Sequence, residues 1–341
     1  MKDGRIRLGH FMTRHDHSAA KLTCALSHPE LFEVVGAVAE DPERETELRD
    51  KPPYSSVRFM SRDELLERGV DAVLVESYDL DLVRDAFFWA EQGIHIHLDK
   101  PAGADAGEFE RLLRTCRKMG SCLQMAYMYR YNPAYLDCLS RIARGELGEI
   151  YSVTAVMNTC HDPAKREWIG RLPGGIMLYL GCHMIDLIFR IMGVPDSITP
   201  VSRKTGFDGV DCTDFSMAFF GYPKGISVAE AVSVEVNGYG RRQLVVRGSE
   251  GTYEIRPLEC PMEAYLTLKK DSKTYRDCSS KLEIPAQLSG SARYDALLYD
   301  FAAMVRGEKE NPYTFDYELQ LQKMILRCCG FDTDWKTTIH I

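Results

Sequence analysis

The sequence predicts an α/β chain: an N-terminal doubly wound parallel sheet, then an α+β domain with a large open, mainly antiparallel sheet. Three observations carry this. Over residues 5–126, apolar runs of strand length alternate with helical patterns, the signature of βαβ units with right-handed crossovers. After about residue 127 the alternation stops, and residues 198–255 offer successive strands separated by turn residues, as an open antiparallel or mixed sheet does. Within the first regime, the apolar run Ile94, Ile96, Leu98 leads straight into Asp99-Lys100-Pro101. The carboxyl end of a strand is where an open α/β sheet presents chemistry to a ligand. The expected domains are 1–126 and 127–341.

Each element follows from local pattern. In the first domain, strands are expected at 5–12, 32–39, 71–76, 94–98 and 122–127. Helices are expected at 18–27, where Asp16 or Ser18 can cap, from Pro42, at 80–92 before Gly93, and at 108–118 before Gly120. In the second domain, helix 133–144 ends at Gly145, strand 149–157 follows, and a long apolar helix runs over 175–192 until Gly193 and Pro195. Residues 256–290 are weakly patterned, and two closing helices are expected over 294–306 and 317–329.

Composition narrows the partners. A chain of 341 residues with 45% hydrophobic and 27% charged content suits a soluble two-domain protein. A net charge of −8 with no long basic run argues against nucleic acid. No stretch resembles a signal peptide or a membrane span, so a cytoplasmic location is expected. The eleven cysteines are scattered with no CxxC pair, which suggests reduced thiols rather than a zinc site or disulfide scaffold.

Four motifs in order carry a resemblance. They are Asp99-Lys100-Pro101, Arg130-Tyr131-Asn132-Pro133, Gly174-Gly175 through Gly181-Cys182-His183-Met184-Ile185-Asp186, and Gly248-Ser249-Glu250-Gly251-Thr252. Together they resemble the glucose–fructose oxidoreductase / inositol dehydrogenase (Gfo/Idh/MocA) family over nearly the whole chain. The resemblance implies a Rossmann-type first domain, a nicotinamide cofactor, a sugar or cyclitol substrate, and a homo-dimer or homo-tetramer.

The departures are as informative. The family's three loop glycines fall on Met12, Arg14 and His17. Those glycines permit the tight turn, the backbone's approach to pyrophosphate and helix–strand packing. Two outcomes stay open: a rebuilt loop in which Thr13, Arg14 and the helix amino end grip phosphate, or a lost site. The adopted reading is a rebuilt site that binds NAD through Gly9, Met12, Thr13, Arg14, Glu40, Ser77, Tyr78, Asp99 and Lys100. Glu40 ends the second strand, where an acid accepts ribose hydroxyls and repels a 2′-phosphate, favouring NAD over NADP. The plainer alternative is that Glu40 or Asp41 caps the next helix.

Oxidising an alcohol needs a proton acceptor tuned near neutral pH. By resemblance a lysine, an aspartate and a histidine share that work. Lys100 and His183 are present; the aspartate position is Tyr179. An i, i+4 spacing puts Tyr179 and His183 on one helix face, and a phenol beside an ammonium can move a proton. The catalytic candidates are therefore Lys100, Tyr179 and His183. Substrate candidates are Tyr127 and Arg130 after the last parallel strand, and His161, Asp162 and Trp168 in an expected loop. The plainer readings are a solvated Lys100, core packing for Tyr179, His183 and Trp168, and a structural Asp186. The pairs His15-x-His17 and His95-x-His97 raise a metal centre, but no HExxH or comparable signature supports one, and none is expected. The reaction class read from this set is an NAD-dependent oxidoreductase acting on a sugar, glycoside or cyclitol. The alternative is a non-catalytic or cofactor-altered relative that binds a sugar or a protein.

Overall fold

The computed structural model describes residues 4–271, 279–286, 288–337 and 340–341. The chain forms two compact units: residues 1–128 with 289–319 and 339–341, and residues 129–288 with 320–338. The units are not consecutive segments.

The first unit contains β1 (Ile6–Phe11), α1 (Ser18–Leu26), β2 (Phe32–Val38), α2 (Pro42–Leu48), α3 (Arg62–Glu67) and β3 (Ala72–Val75). It continues with α4 (Leu82–Glu91), β4 (His95–Leu98), α5 (Ala106–Met119) and β5 (Leu123–Met125). The five strands are all parallel in the order β2-β1-β3-β4-β5. β3 (AVLV) is buried throughout, as a strand covered on both faces must be. A single parallel bridge joins Ala37 to Phe59 outside β2. Counting it as a reduced strand gives the order 3-2-1-4-5-6 of dinucleotide-binding sheets, whose switch point lies between β1 and β3.

Capping explains the helix starts. Asp41 accepts the Arg44 N–H and Pro42 opens α2, Ser61 caps α3 and Asp105 caps α5, which ends at Gly120 in the left-handed region. The six-residue α3 was not anticipated; it is too short to show a period.

The second unit contains α6 (Pro133–Ala143), β6 (Ile150–Val156), α7 (Pro163–Gly170), a π-helical turn (Met177–Gly181) running into α8 (Cys182–Met192), and strands β7 (Ser197–Arg203) and β8 (Phe215–Tyr222). Then come β9 (Gly225–Val232), β10 (Gln243–Gly248), β11 (Gly251–Ile255), β12 (Ala264–Leu268) and β13 (Ser280–Lys281). The eight strands form one sheet, β13-β12-β11-β10-β6-β9-β8-β7, antiparallel except for β6 against β9. Gly248-Ser249-Glu250-Gly251 is the tight turn between β10 and β11. The weakly patterned stretch 256–290 supplies β12 and β13.

Two closing helices follow, α9 (Asp295–Val305) and α10 (Phe315–Cys328). α9 belongs to the first unit because it docks on α1, where Asp295 meets Cys24 and His28. The division between units falls within α10. Among the described residues, no disulfide forms and no helix is long and apolar enough to cross a membrane.

Candidate functional site

In the first unit, the β1–α1 loop and the ends of β2, β3 and β4 gather the candidates. Met12, at the position of the first family glycine, has φ 66°. The tight turn therefore persists with a side chain in the left-handed region, which costs about 1–2 kcal/mol for a residue with a Cβ. Arg14, at the second position, is exposed and pairs with Asp41 at 3.0 Å. His17, at the third, turns its ring to Asp99 and Tyr294.

Glu40 holds this loop. Its carboxylate accepts the Thr13 N–H at 2.7 Å, the Arg14 N–H at 2.9 Å and the Thr13 hydroxyl at 2.7 Å. Arg44 donates to Thr13 Oγ1 from the far side. Asp41, not Glu40, caps α2. A carboxylate has about four acceptor positions, so Glu40 keeps capacity for a ribose hydroxyl while fixing the loop. Beside it opens a cleft of about 740 Å³ lined by Met12, Glu40, Asp41, Met60, Arg62 and Phe88, among others. The Arg62 guanidinium lies 3.9 Å over the Phe88 ring, a flat platform of the kind a purine stacks on. Gly9 lies buried on β1, where a Cβ would meet Leu65 at 2.9 Å; its role is packing. Ser77 Oγ donates to Asp85 at 2.7 Å, Leu82 opens α4, and Tyr78 lies in the turn after β3.

Deeper in, a charge cluster spans four segments. Lys21 of α1 donates to Glu76 at 2.8 Å and Asp99 at 2.6 Å, all three fully buried. Asp99 also accepts the Lys100 N–H at 2.7 Å and faces Nδ1 of His15 and His17 at 3.0 and 3.2 Å. Burial disfavours its charge, yet His15 and Lys21 hold Asp99 well below the usual carboxylate range. Glu76 goes the other way: burial, with Asp99 adding to it against the pull of Lys21, pushes it up to about 8. Lys21 thus serves Asp99 as counter-ion, and Glu76 is the carboxyl left to hold a proton. Lys100 itself is buried, its carbonyl faces His15 Nε2 at 3.1 Å, and its peptide to Pro101 is cis. The expectation of a lysine at the strand end stands; the simple solvated lysine does not. Tyr127 is buried in the same unit.

In the second unit, Asn132 caps α6 through the N–H groups of Ala134 and Tyr135, with Pro133 opening the helix. Arg130 makes a buried two-point pair with Asp186, 2.9 Å on each arm. That pair ties the segment before α6 to α8, so Asp186 is structural, as one reading had it. Gly175 (φ 54°) lets the chain pass under Thr213, whose carbonyl a Cβ would meet at 2.3 Å. His161 and Asp162 precede α7, and Trp168 lies within it, so the expected loop is a correction: Asp162 is its cap, accepting the Lys165 N–H.

Tyr179 and His183 have different neighbours. Tyr179 lies in the π-turn against Trp168 (5.3 Å between ring centres) and His161 (6.2 Å), with Lys165 Nζ 4.7 Å above its ring. His183 lies in the first turn of α8 against Tyr129, 4.8 Å away. An i, i+4 pair shares a face only in an α-helix, and the wider π-turn breaks that register. Glu259 was missed: it is buried, accepts the hydroxyls of Tyr129 at 2.5 Å and Tyr239 at 3.1 Å, and pairs with Arg242. A glutamate in weakly patterned sequence offers no signal for this.

The C-terminal domain model of the GFO/IDH/MocA family matches residues 135–254. A D-xylose 1-dehydrogenase (NADP(+)) of Haloferax volcanii is 29% identical over 48% of this chain and 50% of its own length. A mouse trans-1,2-dihydrobenzene-1,2-diol dehydrogenase is 24% identical over 68% of each chain. An oxidoreductase of Thermotoga maritima has the same fold, with a TM-score of 0.77 at 18% identity, covering 95% of this chain and 96% of that one. Over residues 135–254 this chain is similar to the Gfo/Idh/MocA C-terminal domain. The chain spans half the length of the xylose dehydrogenase it matches. The relatives named here are dehydrogenases, and the structural neighbour is an oxidoreductase. Lys100 follows β4, at the strand end expected from the sequence, while the β1–α1 loop and Tyr179 carry the departures already described.

Proposed function

We propose that this protein is an NAD-dependent oxidoreductase acting on a hydroxyl or keto carbon of a sugar, glycoside or cyclitol. The observation that carries the reading is the pairing, in one unit, of a strand-end Lys100 with a switch-point loop whose turn survives at Met12 and is held by Glu40. The residues fit the adenosine half of a dinucleotide: an acid at the end of β2, and a cleft with the Arg62–Phe88 platform. Bound nicotinamide would supply the hydride acceptor or donor. Glu40, with Asp41 beside it, would repel a 2′-phosphate, which supports NAD over NADP. Lys100 is assigned to orient the substrate oxygen and hold a proton there; Tyr179 and His183 are the second unit's candidates for the same work, each tested by itself. The relatives named for xylose, a dihydrodiol and, in Escherichia coli, D-glucoside support a polyhydroxylated substrate. The outward face of the large sheet, with exposed Phe219 and Ile226, supports a homo-dimer or homo-tetramer.

One observation favours the second reading, a cofactor-altered relative that binds a sugar or a protein: the Thr13 and Arg14 N–H groups already serve Glu40. Titration with NADH and NADPH separates the two. Saturable NADH binding, tighter than NADPH, with sugar turnover lost in Lys100→Ala, supports the oxidoreductase; no binding of either nucleotide sinks it.

A further inference from the structure

We propose that His15, His17 and Asp99 form a binding site for one divalent transition-metal ion of the zinc or cobalt type. The three side chains present ligand atoms that all lie within 4.8 Å of one another. Asp99 Oδ2 is 3.0 Å from His15 Nδ1 and 3.2 Å from His17 Nδ1. With metal–ligand bonds of about 2.0–2.1 Å, tetrahedral ligands stand about 3.3 Å apart. These separations suit an ion between them with little movement.

The hydrogen bonds around the cluster orient its lone pairs. His15 Nε2 faces the Lys100 carbonyl at 3.1 Å, and a carbonyl only accepts, so Nε2 carries the hydrogen. His15 Nδ1 accepts the His17 N–H at 3.2 Å. Asp99 Oδ2 stands 3.0 Å from the same nitrogen, the place a metal ion would take. A backbone carbonyl behind a histidine is how metal-ligating imidazoles are usually held in one tautomer. The Lys100 N–H does the same for Asp99 through Oδ1. His17 is the least enclosed of the three, its side chain 14% exposed, and gives the ion a way in and a fourth position for water.

A second, independent observation points the same way. Glu76 Oε2 and Asp79 Oδ1 are buried acceptors without hydrogen-bond partners. They lie 3.9 and 3.8 Å from His15 Nδ1 and Nε2. Three carboxylates thus face His15, answered by Lys21 on Glu76 and Asp99 and by Lys100 near Asp79. Mixed imidazole and carboxylate donors suit zinc and its first-row neighbours over magnesium or calcium.

The test is equilibrium dialysis of chelator-treated full-length protein with Zn(II) and with Co(II), the latter followed by its visible d–d absorption. We expect one ion per chain and a Co(II) spectrum of low coordination number. Binding should weaken at least tenfold in His17→Ala, the least enclosed of the three, and likewise in Asp99→Asn. Thermal melts of each variant without metal check that it folds, and the metal-induced rise in Tm should vanish with binding. His28→Ala controls for the separate cluster of Cys24, His28 and Asp295. No stoichiometric binding overturns the proposal. So does binding that survives His17→Ala in a folded variant, or binding that is lost in His28→Ala instead. The assignment requires no nucleotide, so its failure and that of the oxidoreductase reading are seen in separate experiments.

Discussion

Glu40 holds Thr13 at two points: its carboxylate takes the Thr13 N–H and hydroxyl at 2.7 Å each, and extends to the next N–H at Arg14. The residue expected to read a ribose is therefore also the clamp of the loop. Charge-assisted hydrogen bonds contribute about 1.5–3 kcal/mol each when a partner is lost. Glu40→Ala should lower stability by about 1–3 kcal/mol in urea denaturation and should raise NADPH binding relative to NADH. An unchanged ratio of the two affinities would show that Glu40 acts on the loop alone.

Met12→Gly should stabilise the protein. The left-handed φ at this position costs a side chain about 1–2 kcal/mol, and the extra freedom of glycine in the unfolded chain returns part of that. The net expected gain is up to about 1 kcal/mol. Met12→Ala keeps the strain and should show no gain; equal urea midpoints for both variants would remove strain as the explanation.

His10 provides a pH dependence. Burial lowers it to about 4, with Lys21 adding to the effect against the Ser18 carbonyl. The unfolded chain takes the proton first, so this contribution is complete above pH 6.5 and is lost as pH falls toward 4. A shift of this size corresponds to about 3 kcal/mol. His10→Gln should flatten the fall in urea midpoint between pH 7 and 4.5 relative to wild type. A parallel fall in both proteins would mean that His10 does not titrate as described.

The Arg130–Asp186 pair should behave as a buried ion pair. Removing one partner strands a buried charge, so Asp186→Asn is expected to cost about 3–5 kcal/mol. Arg130→Met with Asp186→Leu should cost less than either single change, because no charge is left behind. A double variant worse than both singles, measured by chemical denaturation, would assign the pair a larger role than bracing.

Much of the fold was legible because its signals are local. The run AVLV declares a strand buried on both faces, and Asn132-Pro133 declares a helix start. Lys100 was legible because a proline and a strand flank it. The charge cluster was not, since its members come from four segments far apart in sequence. One signal existed: Lys21 falls on the buried face of α1 with Ser18, Leu22 and Ala25, and a charge on an apolar face asks for a partner. Glu40 was legible as an acid at a strand end, but its grip on Thr13 depends on how the loop folds back. α7 hid because Pro163–Gly170 is short and mostly polar.

The π-turn at Met177–Gly181 has a consequence for everything beyond it. Each residue of an α-helix advances the azimuth by about 100°, so a turn holding one extra residue acts as a phase shift. Upstream, Tyr179 is dealt to the Trp168 cluster; downstream, His183 and Asp186 are dealt to Tyr129 and Arg130. Deleting one residue within the turn would restore the ordinary pitch and leave α8 facing its sheet, because the wider turn spends one more residue on nearly the same rotation. The identity of the residue facing each partner is thus set by a count of residues as much as by their chemistry.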